Sequence, residues 1–387
     1  MGTGLNHIPD QELLSEVSKV CSTKGPYVAP ENFAQDFKRA MIQNIHWHRQ
    51  RNIFYRNLLD AGRWIDSADL SLLPFIHANF FKKHEVISIS KEQVFLHLTS
   101  SGTTGQKSQI FFDEWTIKSA QKMVDWIFEY YGLVSADKAN YLLYTYEPEG
   151  ADKLGTAYTD NFLCKYAPVN KVFYALRAEG GGKHSFDLFG TLRAIDEFAH
   201  DGLPLRILGF PAFLNFTLDK MRELKRGPYQ FHADSMTFLG GGWKGHQDKA
   251  ISKAELYAKA EELLGFKNAR LRDGYGSVEH CIPYVECAHH NFHIPIWSKV
   301  LTRDPATLQV LPYGQPGFLQ FISPYITSVP ANSVLMGDLA ILHGGTECGC
   351  GLKADYFEIA GRAGVKAGKS CAVSALEILK RSAGGQP

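Results

Sequence analysis

The chain has 387 residues, 45% of them hydrophobic and 21% charged, with a formal net charge of +1. That balance belongs to a globular protein with a sizeable core, in one large domain or two to three ordinary ones. It excludes a general attraction to nucleic acid or acidic membrane surfaces, and no stretch is long and apolar enough to span a bilayer.

The opening stretch MGTGLNHIPDQELLSEV has no charged region followed by an apolar run, so no secretion signal is expected. Residues 31–62 carry Phe33, Phe37, Met41, Ile45 and Trp47 at helical spacing and end on Gly62, which predicts one long helix. Strand-like VFLHLT (94–99) leads into Ser100, Ser101, Gly102, Thr103, Thr104 and Gly105, with Lys107 and Ser108 just beyond. An amphipathic helix follows over 115–131. The pattern then alternates: strands at 140–146, 171–176, 205–210 and 235–242, and helices at 187–202, 212–227 and 252–265. The last helix opens on a capping box, Ser252 to Glu255, and closes on Gly265. Alternation over this length predicts an α/β fold, a sheet covered by helices. From Phe292 onward the character changes to short strands and turns, and internal repeats are absent.

In the loop after Thr99, two glycines permit backbone conformations closed to other residues. The freed N–H groups, the hydroxyls of Ser100, Ser101, Thr103 and Thr104, and Lys107 can converge on an anion. A Walker A loop needs its lysine directly after the second glycine; here the glycines are three apart and Gln106 intervenes, so that class is excluded. A plain polar turn is the alternative.

Seven cysteines are present. Cys21 and Cys164 stand apart, whereas Cys281, Cys287, Cys348, Cys350 and Cys371 crowd the last third. That distribution favours metal or thiol chemistry in a cytoplasmic protein over a disulfide framework. Cys287, His293, Cys348 and Cys350 make a Cys3His set, a tetrahedral zinc composition in which four protein ligands imply a structural site. His289 can replace His293 and Cys281 can compete; reduced, unligated cysteines are the alternative.

The loop at Ser100–Gly105 with Lys107 closely resembles the phosphate loop of adenylate-forming enzymes, which activate a carboxylate with ATP. Further motifs follow in order. FLGGG, with Gly240, Gly241 and Gly242, is similar to the segment laid against adenine in that superfamily. DGYGSVEH resembles its aromatic-G-x-[ST]-E motif. The resemblance implies that Tyr275 stacks on adenine beside Gly276, that Ser277 touches the α-phosphate and that Glu279 holds Mg2+. Asp338 in MGDLA matches the ribose-binding aspartate, and Arg362 in EIAGRAG the ribose-contacting arginine. Familiar acyl-CoA synthetases continue into a swivelling domain with a catalytic lysine, but only 25 residues follow Arg362 here. ECAHHNFHIPIWSKVLTRDP and CGCGLKADYFEIAGR narrow the resemblance to the acyl-protein synthetases of the LuxE family, from about Phe80 to the end. Phenylacetate–CoA ligases are more distant relatives.

That family implies the large adenylate-forming domain: sheets flanked by helices, plus a small β-rich subdomain. The expected division is a helical region 1–80, a core 81–361 and a short segment 362–387 in place of the swivelling domain. It also implies transfer of a fatty acyl group from the adenylate to a cysteine near the C-terminus, and then to an acyl-CoA reductase. The matching cysteine is Cys371, with Lys366 and Lys369 placed to lower its pKa; a buried, inert thiol is the alternative. Phe210, Pro211 and Phe213, at a strand-to-helix turn, either line the acyl pocket or are plain core. Competing functions are a coenzyme A ligase, an adenylate-former that loads a carrier protein, and a non-catalytic scaffold.

Overall fold

The computed structural model describes residues 8–66, 69–99, 109–148, 162–243 and 245–362. Three helices open the chain: α1 (Ser15–Cys21), α2 (Phe33–Arg51) and α3 (Ile53–Ala61). The single helix expected over 31–62 is therefore two. Asn52 leaves helical geometry (φ −130°, ψ 110°), and its side chain accepts a hydrogen bond from the Tyr55 N–H, capping α3 where α2 stops. The inner face of α2 is fixed by buried hydrogen bonds. Asn44 Nδ2 donates to the Ile326 carbonyl at 2.8 Å and Trp47 Nε1 to that of Thr327 at 2.7 Å. His48 lies between Ser88 Oγ (2.7 Å) and the Ile326 carbonyl (3.0 Å). Since a carbonyl can only accept, Nε2 carries the proton and Nδ1 accepts from the serine.

Next come the short strand β1 (Ile76–His77), a hairpin of β2 (Leu96–Thr99) and β3 (Gln109–Phe112), and helix α4 (Glu114–Tyr130). The α/β run then unfolds in order: β4 (Ala139–Tyr146), β5 (Val169–Gly180), β6 (Lys183–Phe186), α5 (Leu188–Asp201), β7 (Leu205–Gly209), α6 (Pro211–Glu223), β8 (Met236–Gly240), α7 (Lys253–Leu264), β9 (Leu271–Tyr275) and β10 (Tyr284–Val285). These strands form one sheet in the order β10-β9-β8-β7-β4-β5-β6. Strands β9, β8, β7, β4 and β5 run parallel, and β10 and β6 close the edges antiparallel. The expected helix ends hold: Asp187 caps α5 and Ser252 caps α7, with Gly202 and Gly265 left-handed at the C-caps.

The last third builds a second sheet from β11 (Phe292–His293), β12 (Lys299–Arg303), β13 (Pro316–Ile322), β14 (Ser333–His343) and β15 (Tyr356–Arg362). Its order is β11-β15-β14-β13-β12, all antiparallel, with β1 added parallel to β14. The strands expected to be short after Phe292 include one of 11 residues, β14. No helix among the described residues is long and apolar enough to cross a membrane.

In the parallel sheet, β4 connects to β5 on one side while β7 leads to β8 on the other. The strand order reverses between β4 and β7, and beyond the carboxyl ends of the strands at such a point open α/β sheets bind ligands. Gly209 ends β7 at φ +111°, and a Cβ on it would lie 2.4 Å from the Tyr144 carbonyl oxygen. Gly209→Ala thus meets both backbone strain and a clash with main chain, and should cost at least ~3 kcal/mol in urea unfolding. Gly242→Ala, at φ +68° in open space, should cost only about 1–2 kcal/mol. Equal losses for the two would refute the close approach at β7.

Candidate functional site

Hairpin β2–β3 closes on the pair Thr99–Gln109, so it brackets the expected phosphate loop. Residues 100–108, with Ser100, Ser101, Gly102, Thr103, Thr104, Gly105 and Lys107, lie outside the described residues, as does Cys371.

The carboxyl ends of β8 and β9 meet at the register pair Gly240–Gly274. This sets the turn of Gly240, Gly241 and Gly242 beside Tyr275, the last residue of β9. Tyr275 Oη donates to Asp338 Oδ2 at 2.9 Å. Asp338 lies directly across from Arg362 in the β14–β15 ladder, with Arg362 Nε 3.6 Å from Asp338 Oδ1. The structure thus brings together Tyr275, Asp338 and Arg362, residues 63 and 24 positions apart in sequence. Burial, with the Asp338 charge adding to it, pushes the Tyr275 phenol well above its usual range. Its hydroxyl therefore remains a donor at any working pH.

Gly276 opens the turn after β9 and faces free space. The Ser277 carbonyl accepts from the Cys281 N–H at 2.7 Å, and Ser277 Oγ lies 4.0 Å from Met336 Sδ on β14. Glu279 is buried in the same turn. His280 stacks on Phe321 at 4.4 Å and meets Tyr284 Oη through Nε2 at 2.8 Å. Tyr325 Oη donates to the His280 carbonyl at 2.7 Å, tying the turn to the β13–β14 connection.

Phe210 precedes α6, and Pro211 and Phe213 lie in its first turn, directly after β7. Phe210 and Phe213 pack into an aromatic group with Tyr146 and Phe186, at 5.6 Å and 4.9 Å respectively. Pro211 instead borders a cavity of about 100 Å³ that is also lined by Leu239, Trp243, Lys253, Tyr257 and Asp273. Sequence reasoning missed Asp273. Strand alternation gives no signal for it: Asp273 lines the cavity on the helix side, whereas Tyr275, two residues on at the end of β9, packs against Phe321 and Phe357 of the second sheet. Burial, then the neighbouring Glu286 charge, pushes Asp273 up to about 7. Glu286 itself is fully buried and accepts from Tyr257 Oη (2.9 Å), the Asp273 N–H (2.8 Å) and Lys253.

Cys287, His293, Cys348 and Cys350 also converge, with their ligand atoms all within 4.8 Å of one another. Cys287 Sγ and Cys348 Sγ are 3.6 Å apart, and Cys350 Sγ is 3.2 Å from His293 Nε2. A tetrahedron with metal–sulfur bonds of about 2.3 Å has edges of about 3.8 Å, so the spacing fits a soft cation. His293 Nδ1 donates to the Ala354 carbonyl at 2.6 Å, which leaves Nε2 free for a metal. His289 Nδ1 meets the Cys348 carbonyl at 2.8 Å in the same manner, but its ring lies outside the group, and Cys281 Sγ is turned to the Val278 carbonyl at 3.3 Å. Asn291 Nδ2 donates to Cys348 Sγ at 3.1 Å, a contact that sequence reasoning did not foresee. Burial pushes the Cys287 thiol up to about 12. In Cys348 the burial is outweighed by hydrogen bonds from Asn291 and Cys350, and that thiol is lowered.

Comparison with known proteins agrees with this layout. The sequence profile of the family described as "Acyl-protein synthetase, LuxE" matches residues 6–380. The long-chain-fatty-acid–luciferin-component ligase of Vibrio harveyi is 25% identical over 288 residues, 73% of each chain. That of Aliivibrio fischeri is 23% identical over 349 residues, 87% of each chain. Among solved structures, 2-hydroxyisobutyryl-CoA ligase in an open conformation with 2-HIB-AMP and CoA aligns with a TM-score of 0.64 at 14% identity. It covers 89% of this chain and 79% of that one. The same ligase in its postadenylation state gives 0.65 at 14%, covering 87% and 69%. The likeness is one of fold: this chain has the architecture of an adenylate-forming ligase.

Two buried histidines give the region a pH signature. Burial lowers both His48 and His280 from 6.5 to about 3. Between those values the unfolded chain binds protons that the folded chain refuses, so stability falls as pH drops below the unfolded value. Urea unfolding should lose up to ~1.4 kcal/mol per pH unit for each ring below about pH 6.5. A flat profile between pH 6.5 and pH 4.5 would contradict neutral burial of these rings.

Proposed function

The chain belongs to the acyl-protein synthetase (LuxE) family, and from that premise we propose that it activates a fatty acid with ATP and passes the acyl group to its own Cys371. The juxtaposition of Tyr275, Asp338 and Arg362 beside the Gly240–Gly242 turn carries this reading. In it, Tyr275 packs against adenine, and Asp338 and Arg362 contact the ribose hydroxyls. Ser100, Ser101, Gly102, Thr103, Thr104, Gly105 and Lys107 surround the phosphates, with Ser277 at the α-phosphate. Glu279 holds Mg2+, a cation suited to one carboxylate plus phosphate oxygens, which neutralises phosphate charge. A carboxylate oxygen of the acid attacks the α-phosphorus, the bond to the bridging oxygen breaks, and pyrophosphate leaves. Lys107 and the loop N–H groups stabilise the charge that develops. The Cys371 thiolate then adds to the acyl carbonyl carbon, and the bond to AMP breaks to leave a thioester.

The names of the Vibrio and Aliivibrio relatives support a long-chain fatty acid as substrate. Phe210, Pro211 and Phe213 are the proposed lining of the acyl pocket, with Pro211 facing the cavity and the two rings packed beside it. Delivery of the acyl group to a partner such as an acyl-CoA reductase, a cytoplasmic setting and the division at residues 80 and 361 belong to the same proposal. So does Zn2+ in the Cys287, His293, Cys348 and Cys350 cluster, whose donors and spacing fit it.

ATP–pyrophosphate exchange across fatty and aromatic acids tests adenylation, and Asp338→Ala should lower kcat/KM about 10- to 100-fold. No exchange with any acid would sink the reading. For the second step, labelled fatty acid plus ATP should leave a hydroxylamine-labile label on the wild type and none on Cys371→Ser. Label that persists on the variant would move the acceptor off Cys371. Metal analysis should find about one zinc per chain; below about 0.1 equivalent, with no loss of stability on chelation, the metal idea ends.

A further inference from the structure

We propose that the Cys287–His293–Cys348–Cys350 centre is a positioning device for Tyr275: a metal bound there sets the orientation of the ring that meets the nucleotide base. The inference rests on the zinc and adenylation readings above and goes beyond both, since a structural metal need not act on the nucleotide at all.

The connection is short. Strand β10 pairs directly with the end of β9, Tyr284 with Tyr275 and Val285 with Gly274. The ladder continues one step further, because the Glu286 N–H donates to the Asp273 carbonyl at 3.1 Å. The next residue is the ligand Cys287. Its own N–H donates to the Asn291 carbonyl at 3.0 Å, which closes the turn leading to Phe292 and His293. In β11 the two residues have different duties. His293 is a ligand, while its neighbour Phe292 pairs with Phe357 and comes within 6.3 Å of the Tyr275 ring. Phe357 stands edge-on to Tyr275 at 5.8 Å, next to Tyr356, which pairs with His293. Cys348 and Cys350 sit in the connection between β14 and β15, which carry Asp338 at the middle of β14 and Arg362 at the far end of β15.

Strands β10, β11 and β15, which wall in the tyrosine, therefore all converge on the four ligands. Without a cation, the ligands are joined only by weak thiol contacts and by the Cys350–His293 approach. Charge points the same way. A divalent cation with three thiolates and a neutral imidazole carries a net negative charge. Arg272, buried on β9 three residues before Tyr275, interacts electrostatically with Cys287, and its guanidinium also donates to the Glu286 carbonyl at 3.0 Å. The strand that ends in Tyr275 thus faces the centre with a cation of its own.

The test uses the full chain, with ATP affinity read by calorimetry alongside zinc content and thermal stability. Cys350→Ser should lose its zinc and bind ATP about tenfold more weakly, while the KM for the acid changes by less than about twofold. Should the variant fail to fold, removing zinc from the wild type with a chelator and restoring it supplies the same comparison. The deciding measurement is a double-mutant cycle. In a Tyr275→Ala chain, already weakened for ATP, zinc removal should cost less than about twofold, because the ring that the metal positions is gone. An equal tenfold loss with and without Tyr275 would overturn the proposal. So would zinc loss that lowers stability but leaves ATP affinity unchanged, in which case the metal is a clamp and nothing more. A wild type without zinc would overturn the metal reading as well, whereas zinc binding without exchange activity would count against adenylation alone, with the calorimetric cycle still deciding the positioning role.

Discussion

The hydrogen bond from Tyr275 to Asp338 is the point on which the two halves of the molecule meet. It runs from the last residue of β9, in the parallel sheet, to the middle of β14, in the antiparallel one. A buried hydroxyl cannot go unpartnered without a penalty, and a bond to a charged acceptor contributes about 1.5–3 kcal/mol. The same carboxylate faces Arg362 across the β14–β15 ladder. Three strands from two sheets are thereby fixed to one side chain. Anything that enters between them must share its partners with Asp338, which makes this junction both a structural joint and a place to recognise hydroxyl groups.

Packing explains why the joint falls there. Side chains of the parallel strands alternate between two cores. On β4, Tyr141 and Leu143 face the core shared with the N-terminal helices and the second sheet, while Leu142 and Tyr144 face the core beneath α5, α6 and α7. On β8, Phe238 goes to the first and Leu239 to the second. A sheet buried on both faces needs nearly continuous apolar strands, which is what NYLLYTY and MTFLG supply. Buried polar residues near the amino ends, Asn140, Arg206, Thr237 and Arg272, interrupt that run. Gly209, Gly240 and Tyr275 end β7, β8 and β9.

The α/β alternation, most helix ends and the motif positions were legible because each depends on short-range patterns. Asp187, Ser252, Gly202 and Gly265 act within one helical turn of where they sit. The break at Asn52 was not legible, because apolar spacing continues across it and only the side-chain bond to Tyr55 marks the new start. The full length of β14 escaped for a different reason: VLMGDLAIL looks like a short apolar run among turns, whereas the strand runs from Ser333 to His343. Its extent is set by pairing with β13 and β15, a long-range matter. At the candidate site the individual residues could be named, but not the fact that Tyr275 donates to Asp338. The choice of His293 over His289 likewise turns on which ring nitrogen reaches the sulfurs, His293 Nε2 lying 3.2 Å from Cys350 Sγ, which no spacing rule can see.

The region around the cysteines has the least to hold it by ordinary means. Between β10 and β12 and again between β14 and β15 the chain is mostly irregular, with left-handed backbone at His290 and Gly349. Its own apolar cluster consists of Cys287, Cys348 and Tyr356, with Tyr131, Cys350 and Leu352 at the margin. A core that small cannot order two loops by burial, since each residue fixed costs about 1–2 kcal/mol of backbone entropy. Polar contacts take over: Asn291 to Cys348, His289 to the Cys348 carbonyl, His293 to that of Ala354. Those bonds orient sulfur and nitrogen toward one another but leave the soft donors facing a common centre. Four such donors crowded without a cation would mostly gain from separating. The chain instead spends its hydrogen bonds on bringing them together, beside the tyrosine that bonds from one sheet to the other.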